Sequence, residues 1–296
     1  MGLLDGKVAV VTGAGGGLGR THALLLAKEG AAVVVNDLGG ARDGTGAGSA
    51  MADQVVDEIK AAGGKAVADY GNVANEDDVN AMVQKAVDEF GKLDFMIANA
   101  GILRDKSFKN MTNDMWDIVM EVHLRGTYLC VKAAYNQMLA QETGGSIVVT
   151  SSTSGLLGNF GQTNYGAAKA GIAGFARCLF QEGLKYGIRV NVLAPAAWSR
   201  LTEDIFPQGA NMEELLSPDK VSPLTVWLGS DEAKDVTGRT FLVQGNSVTL
   251  LSWQAHSLAS KDNAEGAWDV GELGKIVMEN FENWPKPNAP TPRTFD

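Results

Sequence analysis

Short apolar runs alternate with segments of helical period along most of the chain. Residues 7–12, 32–37, 66–70, 93–98, 146–150, 189–193 and 240–243 are rich in Val, Ile, Leu and Ala with few polar interruptions. That is the pattern of strands buried on both faces. Residues 19–29, 49–62, 76–90, 126–141 and 163–186 repeat apolar positions at a helix period. Regular β–α alternation predicts an α/β fold, a doubly wound, seven-stranded parallel sheet with helices on both faces. Ligands of such sheets bind beyond the carboxyl ends of the strands, where the winding reverses. Two stretches break the rhythm. Residues 38–48, LGGARDGTGAG, form a glycine-rich loop, and residues 251–296 follow the last strand. This extension contains one candidate helix, 272–281, and a proline-bearing tail, 284–292, expected either to pack on the body or to be partly disordered.

Composition narrows the setting. Of 296 residues, 45% are hydrophobic and 20% charged, enough for one large domain over residues 1–250 with no linker inside it. A net charge of −10 repels nucleic acid and anionic membrane surfaces, so neither is an expected partner. The apolar runs are strand-length, far short of a bilayer span. The N-terminus runs straight into a strand without a signal-peptide pattern, and Gly6 stands where a myristoylation motif needs Ser or Thr. Cys130 and Cys178 lie in apolar helical segments and are expected to be buried free thiols. His22, His123 and His256 show no metal-ligand spacing, so no metal is expected. These features together point to the cytoplasm.

The first strand is followed by TGAGGGLG, residues 12–19, opening a helix. Glycines at Gly13, Gly17 and Gly19, with Leu18 between, permit a tight turn and close approach to a pyrophosphate. The free amides and dipole of the helix N-terminus favour that charge, the arrangement of a Rossmann-type dinucleotide site. Asp37 ends the second strand, eighteen residues past Gly19. A carboxylate there accepts both ribose hydroxyls of the adenosine half and repels a 2′-phosphate, which favours NAD over NADP. Arg42, in the adjacent loop, is the residue that could instead accommodate such a phosphate. Asn72 and Val73 after the third strand, and Asn99, Ala100 and Gly101 after the fourth, fall at the same sheet edge.

Tyr165 and Lys169 lie four residues apart in the first turns of a long helix and so share a face. A phenol with pKa about 10 is a poor base at neutral pH. A cation about 5 Å away, at an effective dielectric of about 20, is worth about 3 kcal/mol, or roughly two pKa units. The positive nicotinamide of bound NAD would add to this, and the pair then makes a working base near neutrality. Ser152 lies thirteen residues before Tyr165, where a hydroxyl can hold a substrate oxygen toward the phenol. Ser151 and Ser154 are equally placed in the sequence.

The glycine loop, Asn99-Ala100-Gly101, Ser152 and YGAAK at 165–169 together resemble the short-chain dehydrogenase/reductase family over about residues 5–250. The resemblance implies NAD-dependent oxidation of a secondary alcohol, with Tyr165 as acid/base. It also implies that Lys169 binds the nicotinamide ribose and lowers the phenol pKa, and that Ser152, selected by the family spacing, positions the substrate. Pro195 stands at the family's contact after the sixth strand, and Ser199 is the candidate partner of the nicotinamide amide. His123 occupies a position where many members carry Asn supporting a proton relay; it either does similar work or packs. VVVNDLGG at 33–40, GILRDKSF at 101–108, VHLRGTY at 122–128, GNFGQTNYGAAK at 158–169 and FENWPKP at 281–287 resemble a narrower subgroup. It comprises the (3R)-hydroxyacyl-CoA dehydrogenase domains of peroxisomal multifunctional enzyme type 2, also called 17β-hydroxysteroid dehydrogenase type 4. This implies a (3R)-3-hydroxyacyl-CoA substrate, with a 17β-hydroxysteroid or other bulky alcohol as the alternative. The expected form is a stand-alone dehydrogenase with no hydratase or sterol-carrier module following, and Thr294-Phe295-Asp296 does not read as a peroxisomal address. A non-catalytic NAD-sensing scaffold is the answer of a different class, against which the intact Ser152, Tyr165 and Lys169 set speaks. Helices 126–141 and 163–186 are apolar on more than one face, and by resemblance a homodimer or homotetramer is expected there.

Overall fold

The computed structural model describes residues 2–198, 211–262, 266–279 and 281–284. The chain divides into two compact units, Met1–Leu251 and Ser252–Asp296. In the first, β1 (Val8–Thr12), α1 (Gly17–Lys28), β2 (Ala32–Asn36), α2 (Ala50–Ala61), β3 (Lys65–Asp69), α3 (Glu76–Phe90) and β4 (Phe95–Ala98) alternate strictly. After β4, α4 (Asn113–Val119) and a π-helical turn, Met120–Arg125, run into α5 (Gly126–Gln141) and β5 (Gly145–Thr150). The short α6 (Thr153–Leu156) and long α7 (Thr163–Gly183) precede β6 (Ile188–Ala196). Then come α8 (Met212–Leu215), α9 (Ser222–Trp227), β7 (Thr240–Gln244) and β8 (Ser247–Leu251).

The sheet order is β3-β2-β1-β4-β5-β6-β7-β8. Strands β1 to β7 are parallel, and the chain reverses its direction of winding between β1 and β4, opening a crevice at their carboxyl ends. The expectation of seven parallel strands therefore needs one correction: β8 adds an eighth, antiparallel to β7. Gly245, with φ +54°, and Asn246 make the two-residue connection, and glycine is the residue that enters the left-handed region without strain.

Alternation of side chains sorts the strand residues between two cores. Val8, Val10, Val34, Met96, Ile147 and Val190 pack beneath α3, α5 and α7. Their neighbours Ala9, Val11, Val33, Phe95, Ile97 and Val148 pack beneath α1, α2 and α9. Both faces are apolar because both are covered, which is why the strands read as continuous hydrophobic runs. Helix starts follow local chemistry: Asn75 accepts the Asp78 amide at the head of α3, and Thr112 accepts that of Met115 at α4. His22 on α1 is fully buried with Nδ1 2.8 Å from Ser222 Oγ on α9, and burial pushes its imidazole down to about 3. It is a neutral bridge between two helices. Cys130 is buried as expected, but Cys178 is exposed, because its position on α7 faces away from the sheet.

In the second unit, α10 (Val270–Met278) begins where the Asp269 carboxylate accepts the amides of Gly271 and Glu272. The helix starts and ends earlier than the pattern 272–281 suggested, with Phe281–Asn283 forming a separate 3-10 turn. Lys261 Nζ lies 4.7 Å from the Trp268 ring centroid. Residues 285–292 of the proline-bearing tail, and Ser199, lie outside the described residues. No described helix is long and apolar enough to cross a membrane. Among the described residues no cluster of His, Cys, Asp and Glu is arranged to hold a metal.

Two substitutions test this layering. Ile147→Ala, at a fully buried position of the central β5, is expected to cost about 2–5 kcal/mol in denaturant unfolding. Val248→Thr, on the exposed face of β8, is expected to stay within about 0.5 kcal/mol of the parent. Equal losses would contradict the assignment of core and edge.

Candidate active site

At the carboxyl ends of β1, β2 and β4 lies a cavity of about 570 Å³ lined in part by Gly13, Gly17, Leu18, Asp37, Asn72, Val73, Asn99, Ala100 and Gly101. That volume lies within the range of small-molecule and cofactor sites. Gly13 has φ +65°, and a Cβ there would stand 2.8 Å from Ala100 Cα. Gly19 does not line the cavity; a Cβ on it would meet the Gly13 carbonyl oxygen at 2.1 Å, so glycine there lets α1 seat against the turn. Asn99 Nδ2 donates to the carbonyls of Thr12 (3.0 Å) and Gly13 (3.3 Å), locking the β1 and β4 loops together. The N-cap of α1, Gly16, has no side chain, so the first-turn amides carry no side-chain cap. A shaped glycine cradle at an uncapped helix N-terminus fits the pyrophosphate of a dinucleotide.

Asp37 points its carboxylate along the cradle, Oδ2 accepting the Gly15 amide (2.8 Å) and Oδ1 that of Gly39 (2.7 Å). Asn72 Oδ1 accepts the Ala74 amide and its own amide donates to Asp78, holding the loop after β3. Pro195 sits within β6 in register with Val243 and is not among the cavity's lining residues. The glycine-rich loop 38–48 forms part of the wall: Leu38, Gly40, Ala41, Arg42 and Gly44 all line the cavity. That loop is tied across to the β4–α4 connection, Leu103 N donating to the Arg42 carbonyl (3.1 Å) and Arg104 Nε to that of Asp43 (2.7 Å).

The proton-bearing groups converge beside the Gly101–Ile102 wall. Lys169 Nζ is 5.6 Å from the Tyr165 ring centroid and donates to the Thr150 carbonyl at the end of β5 (2.6 Å). Of the three serines, Ser151 donates to the Lys169 carbonyl (2.7 Å) and Ser154 to Gln162 Oε1 (2.7 Å). Ser152, whose Oγ accepts the Ser154 amide (3.2 Å), is the one whose hydroxyl acts on the Tyr165 phenol, pulling its pKa down. His123, delivered by the π-helical turn, packs edge-on against Tyr165 with centroids 5.2 Å apart. Its Nε2 lies 2.8 Å from the Ile102 carbonyl oxygen and 3.1 Å from the Ile102 amide, while Nδ1 has no hydrogen-bond partner among the described residues.

Burial sets the electrostatics of the pair. Burial pushes the Tyr165 phenol up to about 12, with the Ser152 hydrogen bond pulling down and the Asp105 charge pushing up. Burial also pushes the Lys169 amine down to about 7. The lysine alone therefore does not yield a phenol near neutrality, because desolvation penalises both charged forms at once. Burial, with a smaller contribution from Lys169, pushes His123 down to about 3, so its ring is neutral. Asp105 and Gln162 were not singled out from the sequence; GQTNY, with a glutamine three residues ahead of the tyrosine, was the only local sign of Gln162.

The short chain dehydrogenase family pattern matches residues 7–203. A Mycobacterium tuberculosis protein named as a short-chain type dehydrogenase/reductase is 50% identical, over 89% of this chain and 91% of its own. A hydroxyacyl-CoA dehydrogenase of the same organism is 41% identical over 94% and 89%. Peroxisomal multifunctional enzyme type 2 of Mus musculus is 47% identical over 84% of this chain, which spans about a third of that enzyme, 33%. The crystal structure of a short chain dehydrogenase from Mycobacterium avium superposes with a TM-score of 0.84 at 43% identity, covering 97% and 98% of the two chains. One from Mycobacterium paratuberculosis bound to NAD superposes at 0.75 with 28% identity, covering 82% and 98%.

The buried amine gives a stability test. Lys169 is lowered to about 7 in the fold against about 10.5 unfolded, so between those values the unfolded chain binds the extra proton. Unfolding free energy should therefore rise with pH through that window, by up to about 1.4 kcal/mol per unit relative to Lys169→Met. Parallel pH dependences in the two proteins would show that the amine is not desolvated.

Proposed function

The chain belongs to the short chain dehydrogenase family, and from that premise we propose that it oxidises a (3R)-3-hydroxyacyl-CoA reversibly to the 3-ketoacyl-CoA with NAD. The observation that carries the proposal is the meeting of the Ser152 hydroxyl, Tyr165 phenol and Lys169 amine beside the glycine-cradled cavity. The 41% identity to a hydroxyacyl-CoA dehydrogenase and 47% to part of a peroxisomal multifunctional enzyme support the substrate class. Asp37, whose carboxylate is held beside the cradle by the Gly15 amide, supports NAD over NADP.

When bound, the nicotinamide ring takes up or gives back the carbinol hydride and, oxidised, brings a positive charge. The chain handles the proton. In reduction the Tyr165 hydroxyl donates its proton to the carbonyl oxygen, and Ser152 donates a hydrogen bond to the same oxygen, holding it in reach. In oxidation both transfers reverse. Lowering a phenol from about 12 to about 7 requires about 7 kcal/mol. A unit cation 4–5 Å away is worth about 3–4 kcal/mol at an effective dielectric of about 20. Lys169 is already in place at that value, and the oxidised nicotinamide would bring one such further charge when bound. His123 is a neutral wedge that fixes the phenol from the side. Tyr128 on α5, with Leu184 and Tyr186 just beyond α7, are exposed, which supports assembly as a homodimer or homotetramer through these helices.

Absorbance of the reduced nicotinamide, read with a panel of 3-hydroxyacyl-CoAs and 17β-hydroxysteroids, tests the substrate. Acyl-CoA turnover is expected; turnover of steroids alone would move the assignment to a bulky alcohol. Tyr165→Phe is expected to lower kcat at least a thousandfold while leaving the Kd for NADH within threefold, and surviving activity would contradict the mechanism. Asp37→Ser is expected to shift the ratio of NADP to NAD affinity at least tenfold toward NADP.

A further inference from the structure

Three polar side chains outside the proton-transfer scheme lead into it. Asp105 Oδ2 accepts from Gln162 Nε2 at 2.7 Å. Gln162 is 5% exposed and offers Oε1 to the Ser154 hydroxyl (2.7 Å) and to Asn159 Nδ2 (3.0 Å). The Ser154 amide in turn donates to Ser152 Oγ. Backbone contacts clamp the two segments on either side of this chain: Lys106 N donates to the Gly161 carbonyl (2.9 Å), and Asn164 Nδ2 to that of Arg104 (3.0 Å).

The direction of these bonds follows from their first member. An ionised carboxylate only accepts, so Gln162 must turn its NH2 to Asp105 and its oxygen to Ser154. Ser154 must then donate to Gln162. Its hydroxyl is used up, and Ser152 keeps its own proton for the phenol or for a substrate oxygen. Charge acts along the same line. Lys169, at 5.6 Å from the ring, is the cation facing Tyr165; His123, edge-on at 5.2 Å, is neutral; Ser152 is uncharged. Asp105 is exposed, though its Oδ2 is held by the buried Gln162, and behind the larger effect of burial its charge opposes ionisation of Tyr165. Partial desolvation pushes Asp105 itself up, while Gln162 and the Arg42 guanidinium pull it down.

We propose that Asp105 is a positioning residue for proton transfer at Tyr165: through Gln162 and Ser154 it holds the Ser152 turn, and its charge reinforces the proton-donating form of the phenol that burial already favours. The proposal rests on Tyr165 being the proton carrier. It gives the site a built-in bias toward supplying a proton, the direction of carbonyl reduction, which the oxidised cofactor must overcome when the alcohol is consumed.

Asp105→Asn tests it, because the amide oxygen still accepts from Gln162 while the charge is gone. With 13Cζ-labelled tyrosine and Tyr165→Phe to assign the resonance, the phenolate fraction of Tyr165 is read as pH is raised in the NAD-saturated protein. The midpoint is expected to fall by at least 0.3 pH unit, which doubles the phenolate fraction well below it. A smaller fall, or a rise, overturns the electrostatic role. The acid limb of kcat/KM for oxidation should move to lower pH by the same amount. Gln162→Leu cuts the link between Asp105 and Ser154, and kcat is expected to drop at least fivefold; a smaller loss overturns the positioning role. Activity retained by Tyr165→Phe would instead remove the premise, so failure of the premise and failure of this inference give different results.

Discussion

A lysine amine is buried at the carboxyl end of β5, and the rest of the site is arranged around that cost. Its Nζ finds the Thr150 carbonyl, and the Ser151 hydroxyl grips the Lys169 backbone carbonyl from the same strand end. These two contacts seat α7 on the sheet edge with Tyr165 one turn earlier on the same face. Close approach has a steric condition as well. A Cβ on Gly155 would stand 2.6 Å from the Ala170 amide nitrogen, so only glycine lets α6 lie on α7 there and bring Ser152 to the phenol. The amine is buried and the phenol partly so, and desolvation pushes the amine down and the phenol up.

The cofactor crevice is built by the same kind of constraint at the other strand ends. Gly13, Gly19 and Asn99 interlock so that α1 begins close to the sheet with uncapped amides facing the cavity. Ile102 belongs to both halves: it lines the cavity and, through its backbone, fixes the His123 ring that packs on Tyr165. Cofactor cradle and proton-transfer groups are thus joined by one short segment after β4.

Much of this was legible in the sequence. Seven strands and five helices follow from runs buried on both faces, and the glycine cradle, Asp37 and the Tyr165–Lys169 pair follow from spacing. What escaped has physical reasons. β8 is exposed, so it lacks the apolar run that marks its neighbours, and only Gly245-Asn246 signals the hairpin. α4 and the π-helical turn are too short and irregular for a helix-period pattern to stand out, yet they deliver His123. The exposure of Cys178 depends on which face of an all-round apolar helix meets the sheet. The phenol's upward shift is a burial effect, and no spacing rule reports burial. Asp105 and Gln162 lie 57 residues apart and meet only in the fold.

The central claim is that a single substrate oxygen is held by Ser152 and exchanges its proton with Tyr165. A crystal structure of the protein with NADH and a non-reactive 3-ketoacyl-CoA analogue measures this directly. The account requires the analogue's C3 oxygen to lie within about 3 Å of both Tyr165 Oη and Ser152 Oγ. An oxygen bound elsewhere, or held by neither hydroxyl, would contradict it.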